Sequence, residues 1–80
     1  MDYIKFSNAN VDRLTSLVDH KFTSEWVLNF NHIVSIEKVV TNINKKFNNG
    51  FIHTAKGSIS IYCEETYNKI YDEYIKFLEN

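Results

Sequence analysis

The chain has 80 residues, of which 44% are hydrophobic, and a formal net charge of −1. This length predicts a single domain spanning residues 1–80, and the apolar content excludes an intrinsically disordered chain. The near-neutral charge disfavours generic binding to nucleic acid, and no stretch approaches the roughly 20 apolar residues that a membrane-spanning helix needs.

Residues 1–25 allow two interpretations after a short predicted strand at 3–6. Asn10 is a good N-cap, and helical spacing follows it at Val11, Leu14, Leu17 and Val18. Residues 14–18 also fit a strand that turns at 19–21. The antiparallel meander predicted downstream favours the strand.

The next segment alternates between apolar and other side chains, with Trp26, Leu28 and Phe30 on one face. A period of two residues is typical of a strand. We therefore predict a short strand that ends in a turn near residues 31–32.

A third strand is predicted at 33–40, where Lys38 interrupts the apolar alternation. Its predicted apolar face consists of Val34, Ile36 and Val40. Residues 41–49 are rich in Asn and Lys, so we predict a polar loop there, with Lys45 and Lys46 near its tip.

Residues 50–55 and 58–63 are predicted to form a β-hairpin around the two-residue loop 56–57. This register pairs Phe51 with Tyr62 and His53 with Ser60. The other face of the hairpin, which we expect to support a helix, consists of Ile52, Ile59, Ile61 and Cys63. Since one helix cannot cover both faces of a sheet, Phe51 and Tyr62 belong either to a second core layer or to an interaction surface.

The C-terminal segment predicts an amphipathic helix over about residues 66–78, because its apolar side chains share one side of a helical wheel. That apolar side consists of Tyr67, Ile70, Tyr71, Tyr74, Ile75, Phe77 and Leu78. Glu64 and Glu65 suit the N-terminus of a helix, where the helix dipole favours acids. The predicted fold class is therefore α+β, a small antiparallel sheet of three to five strands packed against one C-terminal helix.

Two segments resemble short bacterial and phage proteins of the FlbD-like, flagellum-associated type. Residues 28–37 look like the Asn-x-x-x-Ile-x-x-Ile-Glu core of that group. Residues 58–66 are similar to its final strand, which runs into a helix through an acidic start. The resemblance covers about residues 28–78, and it implies a β-meander followed by a helix.

No pattern of residues predicts catalysis, and we expect no enzyme activity, no metal and no cofactor. Cys63 and His53 are predicted to lie on opposite faces of the hairpin, which separates the thiol from that possible base. The three histidines and the cysteine lack the spacing of known metal sites. Cys63 is predicted to be a small buried residue beneath the helix.

Charge is distributed unevenly, since residues 38–63 contain four Lys and no acid, whereas 64–80 contain five acids and two Lys. We predict a protein-binding module, such as an adaptor, regulator or inhibitor of bacterial or phage origin, with a homodimer as one option. The residues predicted to contact the partner are Phe51, His53, Tyr62, Lys45 and Lys46. The alternative is a nucleic-acid-associated regulator that uses the basic hairpin.

The single cysteine allows no internal disulfide, and the N-terminal residues do not resemble a signal peptide. A cytoplasmic location is therefore expected, without a membrane partner.

Overall fold

A computed structural model describes the backbone of residues 2–12 and 17–80 and the side chains of residues 2–7 and 25–80. In chain order the elements are β1 (Tyr3–Asp12), β2 (Leu17–Asn29), a 3-10 helix (Phe30–His32), β3 (Ile33–Val40), β4 (Phe47–Thr54), β5 (Gly57–Ile61) and α1 (Glu64–Glu79). The strands form two antiparallel sheets, β1-β2 and β3-β4-β5. The predicted α+β class is confirmed, with the strands divided between two sheets.

β1 and β2 form a long hairpin, in which Tyr3 pairs with Asn29 at one end and Asp12 with Leu17 at the other. The strand interpretation of residues 14–18 is therefore confirmed at 17–18, and the helical alternative is wrong at Val11, which lies in β1. The turn predicted at 19–21 is wrong, because β2 continues through these residues, although its register with β1 shifts between Ala9 and Val11. Leu14, which the helical alternative used, lies outside the described residues.

The end of β2 leads directly into the core. Leu28 and Phe30 are buried, and Trp26 stacks on its cross-strand partner Phe6 with ring centroids 6.1 Å apart. The predicted turn is a 3-10 helix, and the side chain of Asn29 caps it by accepting a bond of 2.9 Å from the backbone N–H of Asn31.

β3 has the predicted bounds, but its apolar face differs from the prediction. A bulge separates the pairs Ile33–Thr54 and Ser35–His53, which leaves Val34 without a cross-strand partner. Because the bulge inserts one residue into the alternation, Ile33 packs against the core and Val34 is 71% exposed. The prediction that Val34 shares the face of Ile36 is therefore wrong.

The β4–β5 hairpin turns at residues 55–56, so that Thr54 pairs with Gly57 and Phe51 with Ser60. The predicted Phe51–Tyr62 pair is wrong, since the register differs by two residues. Gly57 determines the position of the turn, because its φ of 139° is one that other residues rarely adopt. The faces are still those predicted, because side chains alternate with a period of two.

The core is one cluster to which both sheets and the helix contribute. Its buried members are Ile4, Phe6, Leu28, Phe30, Ile52, Ile61, Tyr67 and Ile70. The predicted helix is confirmed, but it buries only one flank of its apolar side. Tyr71 and Leu78 lie on the other flank and are 44% and 57% exposed.

Tyr67 lies flat against the backbone of β4 at Gly50. A Cβ atom on Gly50 would be only 2.6 Å from Cε1 of the Tyr67 ring, so this position needs glycine. Burial, followed by the neighbouring Tyr71, raises the pKa of Tyr67 above its ordinary value of 10.0. The polar loop predicted at 41–49 ends at Lys46, because Phe47 already pairs with Val40.

Within the described residues, no helix is both long enough and apolar enough to span a bilayer.

Candidate protein-binding surface

The loop between β3 and β4, residues 41–46, is held in one conformation by its own hydrogen bonds. The N–H of Thr41 donates to the carbonyl of Lys46 over 2.9 Å, and the N–H of Lys45 donates to the carbonyl of Thr41 over 3.0 Å. The Thr41 hydroxyl also donates to Oδ1 of Asn44 over 2.6 Å. Lys45 has a left-handed φ of 57°, which lets the chain turn back into β4.

This loop presents an apolar side chain to solvent. Ile43 is 97% exposed, and Lys45 and Lys46 beside it are exposed as well. The two lysines were predicted to contact a partner, but Ile43 was missed because the segment was interpreted as a polar loop. An isoleucine within an otherwise Asn- and Lys-rich stretch was the signal that could have identified it.

The outer face of the three-stranded sheet, opposite α1, contains the predicted Phe51 and His53. Their rings stack with centroids 5.7 Å apart. Nε2 of His53 lies 3.0 Å from Oε1 of Glu37, and Nδ1 lies 2.7 Å from the hydroxyl of Ser58. Glu37 and Ser58 were not predicted to lie beside His53, because their proximity depends on the register of three strands.

Ser58, His53 and Glu37 are residue types that also occur in catalytic triads. A triad also requires donors for an oxyanion and a site that holds the substrate. The cluster lies on the open surface of the sheet, and neither the cavity beside Trp26 nor the groove beside Tyr71 includes any of the three side chains. We therefore assign these hydrogen bonds to holding the three strands together and fixing the orientation of the imidazole.

Tyr62 follows β5 and is half-buried. Alternation from the buried Ile61 places its side chain on the outer side, as predicted. Because Ile61 pairs with Gly50, Tyr62 lies at the end of the sheet from which loop 41–46 projects. The loop and the outer face therefore adjoin each other. Neither Phe51 nor Tyr62 belongs to the buried core cluster.

The four lysines of the hairpin region do not share one surface. Lys45 and Lys46 are in the β3–β4 loop, whereas Lys56 is in the turn at the opposite end of β4. Lys38 faces the helix side of the sheet, in register with Gly50. This distribution does not favour a continuous basic track for a nucleic-acid backbone.

Cys63 is exposed at the N-cap of α1, so the prediction that it is buried beneath the helix is wrong. The reason is that β5 ends at Ile61 and the chain turns into the helix at Cys63 itself. The thiol makes no capping hydrogen bond of standard geometry, but interactions with the N–H and then the hydroxyl of Thr66 hold its pKa below the ordinary value. Among the described residues, no three His, Cys, Asp or Glu side chains converge as metal ligands would.

The chain matches no protein-family model, no curated protein and no solved structure. The resemblance to FlbD-like proteins therefore stays a prediction.

Proposed function

We propose that the protein is a non-catalytic protein-binding module that contacts its partner through loop 41–46 and the adjoining outer face of the sheet. The observation that supports this proposal is Ile43, an isoleucine that is 97% exposed on a loop held by its own hydrogen bonds. Burying such a side chain contributes about 1.5–3 kcal/mol of favourable free energy. Insertion of Ile43 into an apolar pocket on a partner would therefore strengthen binding.

The order of the loop adds to this argument. Binding costs free energy when a flexible segment has to become ordered, and a loop already fixed by hydrogen bonds avoids much of that cost. Lys45 and Lys46 flank the isoleucine, which favours a partner whose apolar pocket is bordered by carboxylates.

The outer face extends the contact beyond the loop. A stable interface buries roughly 800 Å² on each partner, which is more than one loop supplies. Phe51, His53 and Tyr62 provide aromatic area on the adjoining face, and each is half-buried rather than enclosed in the core. Aromatic side chains are enriched among the residues that contribute most to binding.

A cytoplasmic location and a bacterial or phage origin of this protein are part of the proposal. The single cysteine supports the location, because it is typical of chains that fold without disulfides in a reducing compartment. The origin depends on the resemblance to FlbD-like proteins.

The test is affinity capture from bacterial extracts, followed by mass spectrometry, with the wild-type protein and an Ile43→Asp variant as baits. We expect a specific set of proteins on the wild-type bait that the variant fails to retain. Val27→Asp is the matched control, because Val27 is also an exposed apolar residue but lies in β2.

Capture that survives Ile43→Asp but fails with Val27→Asp would contradict the proposal. Light scattering on the same samples distinguishes self-association, since a concentration-dependent mass that Ile43→Asp abolishes would identify the partner as a second copy.

A further inference from the structure

The helix α1 is not centred over the three-stranded sheet. It packs mainly against β1, β4 and β5, and on the inner side of β3 Ile36 packs against the core while Lys38 remains exposed beside the helix. A groove of about 490 Å³ lies between β3 and α1. Its lining consists of Ile36, Lys38, Tyr67, Asn68, Tyr71 and Asp72.

One wall of this groove is an unused strand edge. Among the described strands β3 pairs only with β4, so its other edge has N–H and C=O groups with no strand partner. From Ser35 to Val39 the pairing with β4 is regular, and this stretch lies between the bulge at Val34 and a second register shift between Val39 and Val40. Residues 35–39 therefore form a straight edge that another strand can extend.

The other wall is the exposed flank of the helix. Tyr71 lines the groove, and helical geometry places Ile75 and Leu78 further along the same flank. Leu78 is exposed and Ile75 is half-buried. These side chains of α1 are not part of the core. They lie on the side of β3 toward which every second side chain of an added strand would point.

We propose that this groove binds an extended peptide segment of a partner protein, which joins the sheet as a fourth strand beside β3. Strand addition uses the backbone of β3 for affinity and the groove for side-chain selection. This second surface is separate from loop 41–46 and does not depend on the function proposed above.

The charges in the groove indicate which segment binds. Lys38 and Asp72 form no ion pair with each other or with any other described residue. Opposite charges on directly paired cross-strand residues stabilise a sheet. The added strand therefore has an acidic residue beside Lys38. Two positions along, on the same face, it has an apolar residue beside Ile36 and Tyr71.

The same charges disfavour a second copy of the chain as the occupant. Antiparallel pairing of the stretch 35–39 with itself places Glu37 opposite Glu37 when it is centred on residue 37 and Lys38 opposite Lys38 when it is centred on residue 38, whereas centring it on Ile36 brings the bulge at Val34 into the ladder. Like charges directly opposite each other destabilise a strand pair. An amphipathic helix is also a poorer occupant, because it would leave the backbone groups of the β3 edge unpaired.

The test begins with a phage-displayed library of random peptides selected on the full chain. The expected enriched peptides alternate apolar and polar residues and contain an acid two positions from an apolar residue. An enriched peptide is then synthesised, and its affinity is measured by fluorescence anisotropy. Lys38→Glu is expected to weaken the affinity for this peptide by about fivefold. The same variant should bind more tightly to a second peptide in which Lys replaces the acidic residue.

Four further measurements test strand addition. Lys45→Glu makes the same charge change outside the groove and should leave the affinity unchanged, as should Ile43→Asp. N-methylation of alternate peptide amides should abolish binding, and bound peptide should slow amide hydrogen exchange at residues 35–39. Strand addition would be overturned if no peptide were enriched, or if the enriched peptides had only the apolar spacing of a helix. It would also be overturned if neither Lys38→Glu nor N-methylation changed the affinity.

Discussion

Cys63, at the N-terminus of α1, combines an exposed thiol with a lowered pKa. We expect its alkylation by iodoacetamide to rise with pH about a midpoint below the ordinary value of 9.0. Thr66→Val should raise this midpoint only in part, because the N–H of residue 66 contributes more than its hydroxyl. The rate is followed by mass spectrometry across a pH series.

The control for the alkylation experiment is the same chain unfolded in urea, whose thiol should titrate at its ordinary value. Because the pKa of the Cys63 thiol is lower in the folded state, the unfolded chain binds more protons at pH values between the folded and the unfolded pKa. Stability therefore rises with pH across that window and loses this contribution as pH falls through the folded pKa. Equal midpoints for folded and unfolded protein would contradict the role of Thr66.

Single residues were predictable where their burial follows from alternation alone. Ile52 and Ile61 are buried as predicted, because a face assignment needs only the strand and its period. Cys63 was misplaced, because its burial depends on where β5 ends. Ile43 and Glu37 were missed, because exposure on a loop and proximity between strands depend on tertiary structure.

The packing of α1 on the sheet depends on the contact between Tyr67 and Gly50. Gly50→Ala is expected to lower the free energy of unfolding by about 1–3 kcal/mol, because the added methyl group meets the buried ring and the ring cannot move away. Urea denaturation followed by circular dichroism measures this change.

A double-mutant cycle shows whether the Tyr67 ring is the cause. In a Tyr67→Leu background the ring is absent, so adding Gly50→Ala should cost less than about 1 kcal/mol. An equal cost in both backgrounds would show instead that the backbone of β4, and not the helix contact, requires glycine.

Among the elements, the bounds of β3, the position of α1 and most faces followed from the sequence, whereas the strand pairing did not. The bounds of β3 and the position of α1 agree with the apolar periodicity. The β4–β5 register differed by two residues, because the turn consists of residues 55–56 and Gly57 already pairs with Thr54. A shift of two keeps every side chain on its face, so the outer face was predicted correctly from an incorrect register.

The whole molecule joins two separate sheets through one core. The buried cluster takes Leu28 and Phe30 from the N-terminal part of the chain and Ile52 and Ile70 from the C-terminal part. Phe30 also contacts the rings of Tyr74 and Phe77 on α1, with centroids 5.8 and 5.5 Å away. The division into two sheets was not predictable, because apolar alternation predicts where strands occur but not which strands pair with each other.

This shared core makes the prediction of a single domain testable by unfolding. Trp26, the only tryptophan, lies in the β1–β2 hairpin, whereas α1 is the only helix of more than one turn among the described residues. Tryptophan fluorescence therefore reports on the N-terminal hairpin, and circular dichroism at helical wavelengths reports on the C-terminal part. If one core joins both, the two signals should give the same urea midpoint.

Leu28→Ala strengthens the unfolding test, because Leu28 belongs to the hairpin but packs in the shared cluster. Its truncation should lower stability by about 2–5 kcal/mol and shift both midpoints together. A shift in the fluorescence midpoint alone would show two independently folding units. The joint shift is expected because neither sheet buries its apolar face without the helix and the other sheet, and so hairpin and helix lose their packing in the same transition.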